Sequence, residues 1–141
     1  MNDGETAFTP KGFLIVGGAV LVLFGALGFF VLNDSADSFL WLDPAENVAH
    51  IALGLIAMAV VIVPGLKDTL APHLRSIAIL MGMTALFFGA YGLLLPGGTP
   101  AAPNTFGLAN LEMGDNVLHL LFAVWAFSAV FLGPQREMAH R

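Results

Sequence analysis

The chain has 141 residues, of which 57% are hydrophobic and only 11% are charged. In soluble domains roughly a quarter of the residues are charged, so this composition excludes an ordinary water-soluble domain. The net charge of -5 excludes a basic nucleic-acid-binding surface, and the absence of cysteine excludes disulfides and thiolate metal sites.

Four apolar stretches follow one another along the chain, at about residues 12–32, 48–65, 77–95 and 117–132. Each comes close to the ~20 residues that a helix needs to cross the hydrocarbon layer of a membrane. The pattern predicts an all-α polytopic membrane protein whose four transmembrane helices form one membrane domain over residues 1–141, with short cytoplasmic tails.

The basic residues predict the orientation of these helices. With four spans, every Lys and Arg lies on one side of the membrane, whereas the connections on the other side carry acids and no base. The positive-inside rule then places both termini in the cytoplasm, and we expect the bacterial inner membrane as the location. The basic residues are Lys11, Lys67, Arg75, Arg136 and Arg141.

Two segments have nearly the same sequence, which indicates an internal repeat. Residues 43–50 and 112–119 both read acid-x-x-acid-Asn-Val-x-His, and residues 24–28 (Phe-Gly-Ala-Leu-Gly) match residues 88–92 (Phe-Gly-Ala-Tyr-Gly). Since each copy would cross the membrane twice, we expect a tandem, parallel duplication of a helical hairpin, with its pseudo-twofold axis along the membrane normal. The repeats span about residues 12–66 and 75–134.

The acids of the repeated segment are typical of helix N-termini. Asp43 precedes Pro44, as an N-cap residue precedes a proline at the first helical position. Glu46 then falls where its side chain can reach back to the cap. Glu112 and Asp115 repeat the arrangement without the proline. We expect these acids to act mainly as caps.

The Asn and His of each copy are three residues apart and therefore share one helix face. Continuing that face leads to small or β-branched residues, which are typical of close contacts between membrane helices. We therefore expect both histidines to face the interior of the bundle. The two faces are Asn47, His50, Gly54, Ala57 and Val61, and Asn116, His119, Ala123, Ala126 and Val130.

One interpretation of these polar residues is structural. Asn47 and His50 would form an interhelical hydrogen-bond clamp with Asn116, with His119 or with backbone carbonyls near helix ends. Such bonds are worth about 1 kcal/mol each in membranes. On this interpretation the protein binds no cofactor.

The alternative is a ligand site. His50 and His119 would bind a haem iron, a chlorophyll-type pigment or a metal ion, and Asn47 and Asn116 would orient the imidazoles. The acids lie four residues before the histidines, so a metal set of two imidazoles and two carboxylates is a further possibility. That set is His50, His119, Glu46 and Asp115.

The strings Asn47-x-x-His50-x-x-x-Gly54 and Asp115-Asn116-x-x-His119 resemble a bacterial family of small four-helix membrane proteins, catalogued as domain of unknown function four-three-eight-three. The resemblance covers roughly residues 12–133 and implies two hairpins, each with this motif at the start of its second helix. Ala123 stands where the family usually has Gly. The resemblance implies a fold and a repeat but no activity.

The sequence contains no Ser-His-Asp set, P-loop or HExxH string. We therefore expect a non-enzymatic accessory or scaffold subunit of a larger membrane complex, with membrane lipids and other membrane subunits as partners and no nucleic acid. The alternatives are a His-ligated cofactor-binding protein and a small transporter or channel. Few polar residues in the first and third apolar stretches argue against a channel.

Overall fold

The structure is a computed structural model that describes residues 6–31, 41–95, 105–106 and 110–133. Every regular element among these residues is helical, as predicted. In chain order the elements are α1 (Pro10–Phe30), α2 (Pro44–Ile62), α3 (Leu66–Leu70), a 3-10 helix (Ala71–His73), α4 (Leu74–Leu94) and α5 (Met113–Phe131).

Four helical segments are long and apolar enough to cross a membrane. This confirms the predicted number of spans. The third segment is longer than the sequence indicated, because α3, the 3-10 helix and α4 follow one another without an intervening loop. Residues 1–5 and 134–141, which belong to the expected cytoplasmic tails, lie outside the described residues. The segments are Pro10–Phe30, Pro44–Ile62, Leu66–Leu94 and Met113–Phe131.

The helices begin where local hydrogen-bonding rules predict. At the start of α1, the Thr9 side chain accepts a hydrogen bond from the Gly12 amide at 3.1 Å. At the start of α2, Asp43 and Glu46 form a capping box, with Asp43 Oδ1 accepting from the Glu46 amide at 3.0 Å and Glu46 Oε2 accepting from the Asp43 amide at 3.1 Å. The predicted role of these acids as caps is confirmed.

The helices pack as two hairpins, α1 with α2 and α4 with α5. The hairpins meet mainly where α1 contacts α4 and α5. Phe13 is fully buried, and its ring centroid lies 5.1 Å from the ring centroid of Phe122 and 5.1 Å from that of Trp125. The hydrophobic core therefore lies at the end of the bundle where α1 and α4 begin, near the basic residues.

The predicted small-residue faces are buried, which confirms the orientation of α2 and α5. The buried residues at corresponding positions are Gly54, Ala57 and Val61 on α2, and Ala123, Ala126 and Val130 on α5. At the opposite end from the core, the beginnings of α2 and α5 stand on two sides of a cleft. Glu46, Asp115 and the two histidines line that cleft.

Candidate ligand site between the hairpins

A cavity of about 640 Å³ lies between the two hairpins and is lined by residues of α1, α2, α4 and α5. Its walls are mostly aliphatic and aromatic, including Leu21, Phe24 and Phe88. Glu46 and Asp115 line it together with the two histidines, so the polar groups gather toward the N-terminal ends of α2 and α5. Small-molecule sites in proteins have this size and this combination of apolar walls with a few polar groups.

The two histidines lie next to each other in the lining of this cavity. The ring centroids of His50 and His119 are 5.9 Å apart, and the ring planes are inclined by 29°. The ring of Phe88 lies 6.0 Å from that of His119, which places an aromatic wall beside the pair. The structure thus brings together two imidazoles that are 69 positions apart in the chain, as the sequence predicted.

One nitrogen of His119 is fixed by the backbone. Its Nδ1 lies 2.9 Å from the carbonyl oxygen of Asp115, one turn earlier on α5. Because a carbonyl can only accept, Nδ1 must carry the proton in this hydrogen bond, and the neutral ring keeps its lone pair on Nε2. Metal-binding histidines usually have their second nitrogen held in this way. His119 is therefore prepared to act as an Nε2 ligand toward the cavity.

His50 is less constrained than its counterpart. It also lines the cavity, but its buried Nδ1 has no hydrogen-bond partner among the residues that the structure describes. A buried nitrogen without a hydrogen-bond partner is destabilising, because it has lost its hydrogen bonds to water and gained none in the protein. The two imidazoles are therefore not equivalent, although their sequence contexts match.

The asparagines do not form the predicted clamp. In the described part of the chain, no hydrogen bond joins Asn47 or His50 to Asn116 or His119, so the expectation of side-chain bonds between the hairpins is wrong. Only its backbone alternative holds, since Asn47 Nδ2 donates to the carbonyl of Leu42 at 3.3 Å. Each asparagine instead turns toward the partner helix of its own hairpin.

There the side-chain oxygen of each asparagine packs against a glycine. A Cβ atom built on Gly28 would overlap Oδ1 of Asn47, and a Cβ on Gly92 would overlap Oδ1 of Asn116. Both asparagines are almost fully buried, at 1% and 2% exposure. The contact is the same in the two hairpins and explains why a glycine ends each of the matching segments 24–28 and 88–92. The matching sequences of these two segments pointed to the glycines, whereas their contact with the asparagines is visible only in the structure.

The cap of α2 also connects the two hairpins. Oδ2 of Asp43 accepts a hydrogen bond from the backbone amide of Asn110 at 2.9 Å, while its Oδ1 serves the first turn of α2. Asn110 is 3% exposed, and its side-chain oxygen has no partner within the described ranges. Nothing in the sequence singled out Asn110, because its role depends on how the segment before α5 approaches α2.

Three carboxyl groups come together beside this cap. Single oxygens of Glu46, Glu112 and Asp115 all lie within 4.8 Å of one another. The sequence predicted a metal set of Glu46 and Asp115 with the two histidines. In the structure it is Glu112, not a histidine, that completes the group in the described residues. Burial raises the pKa of Glu112 and the neighbouring Asp43 raises it further, while the hydrogen bond with Asp115 opposes the shift.

Comparison of the chain with protein families, curated proteins and solved structures finds no match. The resemblance to a four-helix membrane family stays a prediction.

Proposed function

We propose that this chain is a non-catalytic membrane protein that holds a lipophilic, imidazole-ligated cofactor of the haem or chlorophyll type between its hairpins. The observation that carries the proposal is His119, whose Nδ1 is held by the Asp115 carbonyl while the ring lines an apolar cavity of about 640 Å³. The lone pair on Nε2 of His119 would coordinate the metal of such a cofactor, and the aliphatic walls would keep water away from it.

The test is the absorption spectrum of the full chain purified from its native membrane, together with mass spectrometry of extracted lipophilic molecules. We expect a tetrapyrrole band that is lost in His119→Ala and kept in His73→Ala, because His73 is exposed at the other end of the bundle. A wild-type protein without such a band and without an extractable tetrapyrrole would overturn the proposal.

A cavity-filling pair of variants separates binding from folding. Ala49 lines the cavity, whereas Ala52, on the same helix and also exposed, does not. Ala49→Phe should lower the cofactor content, and Ala52→Phe should leave it unchanged. If both variants keep the full content, the cofactor does not occupy this cleft.

The role of this module is that of an accessory subunit. All four spans carry exposed large apolar side chains outside the cavity lining, among them Leu23, Leu55, Phe87 and Val124. These surfaces suit lipid or neighbouring membrane subunits, and the connections between described helices such as α2 and α3 are short. Crosslinking in native membranes followed by affinity purification should recover a defined set of membrane subunits. Recovery of the isolated chain alone would argue against this role.

The proposed orientation places the carboxyl end of the cleft outside the cytoplasm of a bacterial cell. Its support is the position of Lys11, Lys67 and Arg75, which lie at the opposite helix ends. The chain has no cysteine, so any thiol labelling of a single-cysteine variant comes from the introduced residue. In intact cells a membrane-impermeant thiol reagent should label Phe106→Cys and not Lys67→Cys. The reverse pattern would invert the topology.

The proposal includes a tandem duplication of a hairpin. It is supported by matching environments at corresponding positions: both asparagines contact a glycine, and both helix starts pair an acid at the cap with an acid three residues later. A duplication explains this correspondence, whereas independent origins of the two hairpins do not.

A further inference from the structure

We propose that Glu46, Glu112 and Asp115 bind one divalent, oxygen-preferring cation such as Ca²⁺ at the polar end of the cleft. This site is distinct from the imidazole ligand of the proposed cofactor, because its three oxygens come from the first turns and the cap of α2 and α5. It also differs from the metal set expected from the sequence, in which both histidines took part.

The geometry matches the size of the ion. Ca²⁺ binds oxygen at about 2.3–2.6 Å, so two ligands on opposite sides of the ion are about 4.6–5.2 Å apart. The three carboxyl oxygens lie within 4.8 Å of one another. Mg²⁺ binds oxygen at about 2.0–2.1 Å and usually keeps several waters instead of taking all its ligands from the protein. The spacing of the three carboxyl groups is therefore compatible with Ca²⁺ bound by all of them.

Glu46 provides evidence for a ligand that is independent of the cluster's spacing. Its Oε2 is used by the capping box, where it accepts from the Asp43 amide. Its other oxygen, Oε1, is buried and has no hydrogen-bond partner in the described residues. Glu46 is only 7% exposed, and it lines the cavity. A buried carboxylate oxygen without a partner is costly, and a cation removes that cost.

The charge balance points in the same direction. Among the described residues, Asp43 brings the number of carboxyl groups at this end to four, and no Lys or Arg occurs between residues 12 and 66 or between residues 76 and 135. The N-termini of α2 and α5 each contribute roughly half a positive charge, so together they offset about one of the four. A divalent cation would compensate most of the remaining charge.

The ion would also join the two hairpins. Glu46 belongs to α2, whereas Glu112 caps α5 and Asp115 lies in its first turn. At this end of the bundle the backbone amide of Asn110 already donates a hydrogen bond to Asp43. Cation binding would therefore hold together the end of the bundle that is remote from the hydrophobic core.

The experiment is a calorimetric titration of the full chain in detergent with Ca²⁺ alone, after treatment with a chelator and its removal. We expect one site per chain and a higher melting temperature in the presence of Ca²⁺. Glu46→Gln and Glu112→Gln should each weaken binding at least tenfold. Glutamine can still serve the capping box, so these variants should fold. Asp68→Asn, in the exposed helix α3, is the matched control and should bind as the wild type does.

Two results would overturn the site. The first is the absence of saturable Ca²⁺ binding by the wild type, which would mean that protons neutralise the cluster. The second is unchanged affinity in Glu46→Gln. Loss of the tetrapyrrole band in the preceding experiments would leave the Ca²⁺ titration unaffected, so the two proposals fail separately.

Discussion

The carboxamide oxygen of Asn47 occupies the space in which any side chain at Gly28 would have to begin. The two residues lie on adjacent helices, and Asn116 and Gly92 repeat the contact in the second hairpin. Oδ1 of each asparagine has no hydrogen-bond partner among the described residues and packs against the glycine. A polar side chain thus fixes how closely the helices of each hairpin approach.

Gly28→Ala should destabilise the protein even though alanine is the better helix former. Alanine normally stabilises a helix by roughly 1 kcal/mol relative to glycine. Here the added methyl group would overlap Asn47 Oδ1, and overpacking of this kind costs about 1–3 kcal/mol. Thermal unfolding in detergent measures the effect.

A double-mutant cycle identifies the cause of that loss. In Gly28→Ala/Asn47→Ala the oxygen is absent, so the combined loss should be smaller than the sum of the single losses. Gly17→Ala is a milder control, because its nearest neighbours would be aromatic side-chain atoms at 3.3 Å. Additive losses in the cycle would show that the contact does not limit the approach.

Gly54 and Ala123 occupy corresponding positions and should respond differently to substitution. A Cβ on Gly54 would lie 2.8 Å from Cγ2 of Val22 and against the carbonyl of Gly18, so Gly54→Ala should cost about 1–3 kcal/mol. In the other hairpin, Ala123→Gly should cost about 1 kcal/mol from helix propensity. Chemical denaturation in mixed micelles measures both. If Gly54→Ala were as stable to denaturant as the wild type, the close approach of α1 and α2 would be contradicted.

Asp43→Asn should weaken the connection between the hairpins while preserving the cap of α2. Asparagine is an equally good N-cap residue, but its amide group cannot accept the hydrogen bond from the Asn110 backbone. We expect a loss of about 1.5–3 kcal/mol, as for other hydrogen bonds to charged groups. The melting temperature reports the loss, and Asp68→Asn should change it little. A melting temperature equal to that of the wild type would show that the link to Asn110 contributes nothing.

Trp125→Phe should loosen the segment before α1. The indole Nε1 donates to the carbonyl of Ala7 at 2.8 Å, and phenylalanine would keep the packing against Phe13 while losing this bond. The expected loss is about 1 kcal/mol, with faster hydrogen exchange at residues 6–9. Trp41→Phe serves as the control. Unchanged exchange in Trp125→Phe would mean that the segment is held by other contacts.

The sequence by itself determined the spans, the starts of α2 and α5, and the burial of their small-residue faces. These features depend on local rules. An apolar run of about twenty residues needs a bilayer, an acid followed by proline begins a helix, and residues three and four apart share a face. The histidines could be assigned to the interior on the same grounds.

Only the tertiary structure decided which groups meet. The asparagine oxygens contact glycines of their own hairpins instead of forming a clamp, and Glu112 joins Glu46 and Asp115 in place of a histidine. Neither result follows from periodicity, because both depend on the distance and rotation between packed helices. The cleft depends on the same packing, since the hairpins meet at the core near Phe13 and again where the cap of α2 contacts Asn110 before α5.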